Sequence, residues 1–299
     1  MNENEKLIAY GKTINKLKKT DYMPLIKAAF LEDYVENDVT SNSIFNAKEQ
    51  ASAAILAKQK GILSGIQIAA DVFKFLDSSL EIKLLLNDSD NLYENLQVMK
   101  ITGRLSSILN AERTALNFLA LLSGISTSVN QISSILKPKG ILPVDTRKTI
   151  PGYRKLSKYA VCMGGGVNHR LNLSAMGLIK DNHIAKAGSI KEAVLLFRKK
   201  NPGLHCEVEV ENIKQLKEAL TTAPDIIMLD NMTVEKIKES VNMIRKFNKD
   251  NSKSIFIEAS GGYNEKNIHT LLDTGIDFVS MGSLTQKIDS FDFSLEILK

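Results

Sequence analysis

Positively charged side chains follow short apolar segments in the second half of the chain. Arg147 and Lys148 follow the segment ILPVD, and Lys180 lies within GLIKD. His169 and Arg170 adjoin one another between these segments. Guanidinium groups bind carboxylates and phosphates in a bidentate manner, whereas a lysine ammonium acts as a point charge. Because cations repel one another when they are confined without an anion, this pattern indicates a small substrate with several negative charges.

Carboxylates occupy the ends of two further apolar segments. CEVEV (206–210) places Glu207 and Glu209 on one face, and DIIMLD (225–230) ends at Asp230. Glu209 and Asp230 are therefore the predicted ligands of a hard cation such as Mg²⁺, directly or through water. A structural hydrogen-bonding role for either carboxylate stays open.

Glycines follow the last two apolar segments, where they let backbone N–H groups approach an oxyanion. The two stretches are Ser260-Gly261-Gly262 and Met281-Gly282-Ser283. The last strand loops of an α/β barrel are a recurrent phosphate site, so both stretches are predicted to bind phosphate. The sequence contains neither GxxxxGK[ST] nor GxGxxG after a strand, which argues against nucleoside triphosphates and dinucleotides.

The elements that carry these residues alternate between strand and helix patterns. The predicted strands are 141–145, 177–181, 206–210, 225–230, 255–260 and 277–282. Amphipathic helical stretches separate them, which predicts a parallel sheet with helices outside. Six such strands could close into a barrel or form an open doubly wound sheet. Both folds build their sites at the C-terminal strand edge, where the reactive residues fall.

The first hundred residues mix both patterns and predict an α+β lobe. Helical spacing covers 21–31 and 65–77, and strand patterns cover 51–58, 80–86 and 96–101. A long apolar helix is predicted over 110–136, with Gly124 as a break or a point of close packing.

Bulk composition is that of an ordinary globular protein of 299 residues. A formal net charge of +5 spread over the whole chain does not predict nucleic-acid binding. The charged N-terminus lacks the apolar core of a signal peptide, and no uninterrupted apolar run approaches the ~20 residues of a membrane span, so a cytoplasmic location is expected. Cys162 and Cys206 are far apart and are predicted to be reduced, non-catalytic thiols.

Several motifs, in order and over nearly the whole chain, resemble the quinolinate phosphoribosyltransferase family, the carboxylating nicotinate-nucleotide pyrophosphorylases. They are AERTALNFLALLSGIST (111–127), DTRKTIPGYRKLSKYAV (145–161), GGGVNHRLNLSAMGLIKDNHI (164–184), CEVEVEN (206–212), IIMLDNM (226–232), EASGGYNEKNI (258–268) and DFVSMGSLTQK (277–287). EDYVENDVTS (32–41) and GILSG (61–65) match more faintly.

The resemblance implies an α+β sandwich lobe and a six-stranded open α/β barrel, assembled as a homodimer. We place the lobe at 1–112, with 288–299 packing back on it, and the barrel at 113–287. The family reaction joins quinolinate to phosphoribosyl pyrophosphate with decarboxylation and uses Mg²⁺. Assembly beyond the dimer stays open.

By the same resemblance, Arg113 reaches into the site of the neighbouring subunit. The residues that match the family's quinolinate and phosphoribosyl site are Arg147, Lys148, His169, Arg170 and Lys180, with Thr146 of the same DTRKT motif. The predicted catalytic residues are Lys148, Lys180, Glu209 and Asp230. The phosphate loops are Ser260 to Gly262 and Met281 to Ser283.

Three positions depart from the family pattern and put details of the phosphate loops in doubt. Asn37 stands where glycine is common, and Ser283 and Gln286 replace the commoner Ala and His. A related group associated with molybdenum transport shares the GGG and HR features but not IKDNH. Two further alternatives are a barrel enzyme that uses Lys180 as a Schiff base, and a nucleic-acid-binding or regulatory protein.

Overall fold

A computed structural model describes residues 9–11 and 13–298, which form two compact units. Residues 1–8 of the charged N-terminal stretch lie outside the described residues. The barrel unit contains the described part of Met1–Thr13 with Gln131–Arg154 and Gly166–Gln286. The α+β unit contains Ile14–Asn130, Lys155–Gly165 and the described part of Lys287–Lys299.

The described helices and strands are numbered in chain order. The helices are α1 (Lys19–Asp33), α2 (Val39–Ile44), α3 (Ile66–Leu76), α4 (Leu105–Leu136), α5 (Arg154–Met163), α6 (Asp181–Ala187), α7 (Ile190–Lys200), α8 (Ile213–Thr222), α9 (Val234–Asn251) and α10 (Ser283–Gln286). The strands are β1 (Gln50–Ala57), β2 (Gly61–Ile62), β3 (Glu81–Leu84), β4 (Asn91–Leu92), β5 (Gln97–Arg104), β6 (Leu142–Val144), β7 (Gly177–Ile179), β8 (Cys206–Val210), β9 (Ile226–Asp230), β10 (Phe256–Ser260), β11 (Phe278–Ser280) and β12 (Phe293–Leu298). Short 3-10 helices cover Val35–Asn37, Lys137–Lys139 and Ile268–Leu271.

A four-stranded antiparallel sheet organises the α+β unit, with the strand order β12-β1-β5-β3. The C-terminal strand β12 pairs with β1, from Ser52 opposite Leu298 to Ala57 opposite Phe293. Helix α3 buries most of its apolar side chains, which fits a sheet that is covered on one face. Strands β2 and β4 form a separate two-stranded sheet.

Six parallel strands form the barrel unit in the order β6-β11-β10-β9-β8-β7. From β7 to β11, strands adjacent in sequence are adjacent in the sheet, and β6, the first strand, pairs with the last, β11. A doubly wound sheet would instead place early strands in its centre. The six-stranded open α/β barrel is therefore confirmed as the fold of this unit.

The opening of the barrel lies between β6 and β7, the two end strands in the sheet order. A segment that follows α5 borders the opening, because Val167 pairs with Val144 and its N–H donates to the Pro143 carbonyl at 2.9 Å. Arg170 Nη1 then donates to the carbonyl of Met176, directly before β7, at 3.1 Å. One side chain thus connects the strand-like segment to the other edge of the opening.

Helix α4 is continuous, so Gly124 does not break it. It is a point of close packing, since a Cβ there would lie 2.2 Å from the Asp289 carbonyl oxygen. In the segment that begins at Asp289, the Phe291 N–H donates to the Ala120 carbonyl oxygen of the same helix at 3.0 Å. By length and composition, the stretch Leu105–Lys139 could cross a membrane, but 56% of its apolar window is buried inside the protein. Core helices of globular proteins pass the same test, so the helix is no evidence for a membrane span.

The observed units differ from the predicted domain boundaries. The expected boundary between residues 112 and 113 falls inside α4, and the units separate near residue 130 instead. Residues 155–165 also belong to the α+β unit although they were assigned to the barrel. The sequence pattern does not reveal which unit a connecting helix packs on. The same apolar face of the helix could be buried against either unit.

Replacing Gly124 with Ala should destabilise the protein by about 1–3 kcal/mol, because the added Cβ meets backbone rather than a movable side chain. At an unconstrained helix position the same change would stabilise by up to about 1 kcal/mol. A lower Tm in Gly124→Ala therefore indicates close packing at this position, and a higher Tm indicates an unconstrained helix position. Gln131→Ala, at an exposed position of the same helix, is the control and should leave Tm nearly unchanged.

Candidate active site

The predicted site residues of the barrel unit follow the C-terminal ends of its strands or the segment that borders its opening. All six strands are parallel, so their C-terminal ends meet at one end of the barrel, which we call the rim. The residues are Thr146 to Lys148 after β6, Lys180 after β7, Glu209 in β8, Asp230 at the end of β9, Ser260 to Gly262 after β10, and Met281 to Ser283 after β11.

Lys148 connects the loops that follow β6 and β11. Its backbone N–H donates to Thr146 Oγ1 at 3.0 Å, and its carbonyl accepts from Thr285 Oγ1 at 2.7 Å. Its alkyl chain passes close to Gly282, where a Cβ would lie only 2.8 Å from Lys148 Cδ. A glycine at this position therefore leaves room for the lysine, and the two loops form one surface.

The positive charge of Arg147 acts on Arg170, which borders the opening of the barrel. Arg170 is only 8% exposed, whereas Arg147 is exposed. Burial lowers the pKa of Arg170, and the charge of Arg147 lowers it further, while Glu207 opposes the change. Bringing an anion between the two arginines removes this repulsion, so the pair is suited to bind a carboxylate or phosphate.

Lys180 forms an ion pair with Glu209, with Nζ at 2.5 Å from Oε2. The lysine side chain is 43% exposed and the glutamate side chain 10%. The Lys180 N–H also donates to His183 Nδ1 at 3.0 Å, at the start of α6. With its other side open to solvent, the ammonium can attract an anion as a point charge.

Asp230 and the loop after β10 are joined through Asn231. Asn231 Nδ2 donates to Asp230 Oδ2 at 2.7 Å, and its N–H donates to Ser260 O at 2.9 Å. Gly261 adopts φ +116°, and a Cβ there would lie 2.3 Å from Asn231 Oδ1. Only glycine fits this position, because both the backbone conformation and the close approach exclude a side chain.

The loop after β11 departs from the prediction at one residue. The side chain of Met281 is buried, and its N–H donates to the Val144 carbonyl at 3.0 Å. This amide is engaged in holding β11 against β6 and is not available to a phosphate. Gly282 and Ser283 are then the members of this tripeptide that stay candidates.

His169 lies inside the barrel, with 6% of its surface exposed. Its Nδ1 accepts the N–H of Arg170 at 2.8 Å, so the neutral ring carries its proton on Nε2. That atom faces Glu207 Oε2 at 2.9 Å and Glu258 Oε2 at 4.0 Å. Direct contact of His169 with substrate stays a prediction. The contacts described here for its ring are with other groups of the protein.

Sequence reasoning missed a buried cluster beneath the rim, formed by His169, Glu207, Glu258 and Tyr10. The Tyr10 hydroxyl donates to Glu258 Oε2. One imidazole nitrogen of His169 and one carboxylate oxygen each of Glu207 and Glu258 lie within 4.8 Å of one another. Burial raises the pKa of Glu207 to about 8 and that of Glu258 to about 8. The alternation in β8 and β10 could have indicated inward glutamates, but no local pattern marks Tyr10.

Arg113 belongs to the α+β unit, where it lies on α4. Its side chain is 67% exposed, and Nη2 is 4.0 Å from Glu112 Oε1. Exposure of this kind leaves the guanidinium able to reach another molecule.

Burial makes Cys206 a poor candidate for a nucleophile. Burial raises the pKa of Cys206 to about 12, and Cys162 is partly buried on α5. A thiol with a raised pKa carries little thiolate at neutral pH.

A cavity of about 850 Å³ lies beside the unpaired edge of β7. Arg170 is the one predicted site residue in its described lining, which otherwise includes Leu178, Leu196 and Phe197. The convergence of charged side chains marks the rim, not this largely apolar cavity, as the candidate site.

Glu258→Gln should weaken the pH dependence of thermal unfolding. Because burial raises the pKa of Glu258 from 4.5 to about 8, the folded protein keeps a proton that the unfolded chain releases above pH 4.5. The stabilisation is complete below pH 4.5 and is lost as the pH rises towards 8. Between these pH values, Tm should fall in the wild type and fall less in the variant.

The control for this measurement is Glu239→Gln, at an exposed position of α9. It should leave the wild-type slope of Tm against pH unchanged. Equal slopes for wild type and Glu258→Gln would show that Glu258 does not hold the proton.

Comparison with known proteins identifies relatives along nearly the whole chain. Residues 38–123 match the family model described as quinolinate phosphoribosyl transferase, N-terminal domain, and residues 125–296 match that of the C-terminal domain. A probable nicotinate-nucleotide pyrophosphorylase [carboxylating] from Methanocaldococcus jannaschii is 40% identical over 288 residues, covering 93% of this chain and 98% of the relative. One of the same description from Bacillus subtilis is 38% identical, covering 91% and 92%. The solved nicotinate-nucleotide pyrophosphorylase from Francisella tularensis superposes with a TM-score of 0.91 at 35% identity, covering 96% and 99%.

Proposed function

Since the chain belongs to the quinolinate phosphoribosyltransferase family, we propose that it joins quinolinate to phosphoribosyl pyrophosphate. The products are nicotinate mononucleotide, pyrophosphate and CO₂, and the reaction serves NAD biosynthesis. The observation that carries the proposal is the arrangement of Arg147, Arg170 and Lys180 around one end of the barrel unit, after parallel strands or beside its opening. Two carboxylates on one aromatic ring are the anion that such a set fits.

The cations act by orientation. Arg147, Arg170 and Lys180 hold the two carboxylates and turn the ring nitrogen towards the anomeric carbon of the ribose. Fixing two reactants in this way can supply an effective molarity on the order of 10⁵ M or more. Lys148, in the loop beside Gly282, interacts with the phosphorylated sugar.

Bond making and breaking at the anomeric carbon develops positive charge on the ribose. The bond to pyrophosphate breaks with its electron pair leaving on oxygen, and the bond to the ring nitrogen forms. Carboxylates Glu209 and Asp230, on neighbouring strands β8 and β9, stabilise the positive charge. The alkylated nitrogen then draws the electrons released when the adjacent carboxylate departs as CO₂, and the ring carbon takes up a proton.

The same two carboxylates fit Mg²⁺. This ion usually takes one or two protein carboxylates and completes its shell with water and substrate phosphates. Glu209 and Asp230 supply oxygen ligands of the required kind at adjacent strand ends. When bound, Mg²⁺ would neutralise charge on the departing pyrophosphate.

The site is proposed to be shared within a homodimer. Arg113 is exposed and forms a long ion pair of 4.0 Å with Glu112, its neighbour in sequence. Its match to the family motif supports a role in binding quinolinate held by the partner subunit. A cytoplasmic location likewise stays a proposal.

A Schiff-base mechanism at Lys180 is disfavoured by the Glu209 ion pair. Such a lysine must lose its proton before it attacks a carbonyl. Glu209 Oε2 lies 2.5 Å from Nζ, so the amino group is engaged by a carboxylate and is not free to approach a carbonyl.

Arg147→Ala and Lys180→Ala should each lower kcat/KM for quinolinate by about 10²-fold or more, because each removes a charged contact to the reacting anion. The measurement is formation of nicotinate mononucleotide from quinolinate, phosphoribosyl pyrophosphate and Mg²⁺, with nicotinate tested in parallel as a poor substrate. Lys191→Ala, an exposed lysine of α7, is the control and should retain wild-type activity. Near-normal kcat/KM in either site variant contradicts its assigned role.

Mixing two inactive variants tests the shared site. In a randomly reassembled equimolar mixture of Arg113→Ala and Lys180→Ala subunits, about half of the dimers are hybrids, and each hybrid has one intact site of its two. Activity should therefore reach up to about one quarter of the wild-type level. Each variant alone should stay inactive. Hybrid dimers that form without any recovery would refute sharing of Arg113.

A further inference from the structure

Tyr10 enters the barrel unit from the end opposite the rim. It is 2% exposed and packs in an apolar cluster with Leu142, Ile226 and Phe278, which are the first residues of β6, β9 and β11. The preceding residue, Ala9, is fixed by its carbonyl oxygen, which lies 2.9 Å from Nδ1 of His205, directly before β8. The N-terminal ends of parallel strands lie together, so Tyr10 cannot reach substrate at the C-terminal ends.

We propose that Tyr10 is a positioning residue for Arg170, acting through Glu258 and His169. This inference rests on the proposed function, because Arg170 is taken there to bind a carboxylate of quinolinate. It adds a residue from the opposite end of the barrel to those that set the geometry of the site.

Two contacts connect Tyr10 to the buried cluster. The hydroxyl donates to Glu258 Oε2, and the ring lies 4.5 Å, centroid to centroid, from the imidazole of His169. Phe278 supports the tyrosine ring from another side, edge-on at 5.0 Å. The hydroxyl restrains Glu258, whose Oε2 lies 4.0 Å from His169 Nε2, and the ring supports the imidazole directly.

His169 transmits this restraint to the backbone of Arg170. Its Nε2 lies 2.9 Å from Glu207 Oε2, and its Nδ1 accepts the Arg170 N–H at 2.8 Å. On the other side, the His169 N–H donates to Asp145 Oδ1 at 2.9 Å. A ring that is fixed by the cluster thus fixes the peptide that carries the arginine.

The position of the Arg170 side chain matters for two of its interactions. Its Nη1 holds the Met176 carbonyl across the opening of the barrel, and its charge lies near that of Arg147. A small rotation of the peptide would move the guanidinium relative to Arg147, and the pair would then fit a carboxylate less well.

Tyr10→Phe tests the inference, since it keeps the ring contacts and removes only the hydroxyl. KM for quinolinate should rise about threefold to tenfold, as expected for the loss of one hydrogen bond, whereas KM for phosphoribosyl pyrophosphate should change little. Hydrogen exchange at the Arg170 amide should accelerate by a comparable factor, because that N–H is held by the imidazole.

Tyr22→Phe is the matched control. Tyr22 is also buried, and its hydroxyl donates to a carboxylate, Asp71 Oδ2, at 2.5 Å, but it belongs to the α+β unit. A general loss of stability would affect both variants alike. The inference requires that only Tyr10→Phe raises KM for quinolinate and accelerates exchange at the Arg170 amide.

Each outcome is decisive. Unchanged exchange at Arg170 in Tyr10→Phe, or equal effects in both variants, overturns the positioning role. If the wild-type protein makes no nicotinate mononucleotide, the proposed function fails, and the exchange measurement alone then decides whether Tyr10 positions Arg170.

Discussion

Repulsion between positive charges is the constraint around which the barrel unit is arranged. Burial and the charge of Arg147 both act against the charged form of Arg170. Glu209 Oε2 lies 2.5 Å from Lys180 Nζ and compensates the charge of that lysine. A substrate anion can take over this compensation at the rim, which gives binding an electrostatic driving force without a large apolar pocket.

Much of the barrel follows from periodicity that is visible in the sequence. All six predicted barrel strands contain the observed ones, because each is a short apolar run bounded by polar residues. Parallel pairing then brings their C-terminal ends together, and this explains why residues far apart in sequence, such as Lys180 and Glu209, could be assigned to one site. Their ion pair is a direct result of that geometry.

Features that depend on distant parts of the chain were not predictable in the same way. The Tyr10 hydroxyl meets a carboxylate 248 positions away, and nothing near Tyr10 in the sequence encodes this contact. The amide of Met281 is engaged by Val144 for a similar reason, since strand pairing and not the glycine-rich motif determines its partner. The expected boundary between residues 112 and 113 differs from the observed separation near residue 130, because the amphipathic pattern of a helix does not indicate which unit the helix packs on.

The pairing of β12 with β1 has a consequence for biosynthesis. The strand at positions 293–298 leaves the ribosome after every strand of the barrel, yet it completes a sheet whose other members, β1, β3 and β5, are translated within the first 104 residues. Until then one edge of β1 exposes unpaired N–H and C=O groups, which are a template for pairing with other chains. A nascent polypeptide of this type therefore depends on protection of that edge, and C-terminal truncation would affect the N-terminal sheet first.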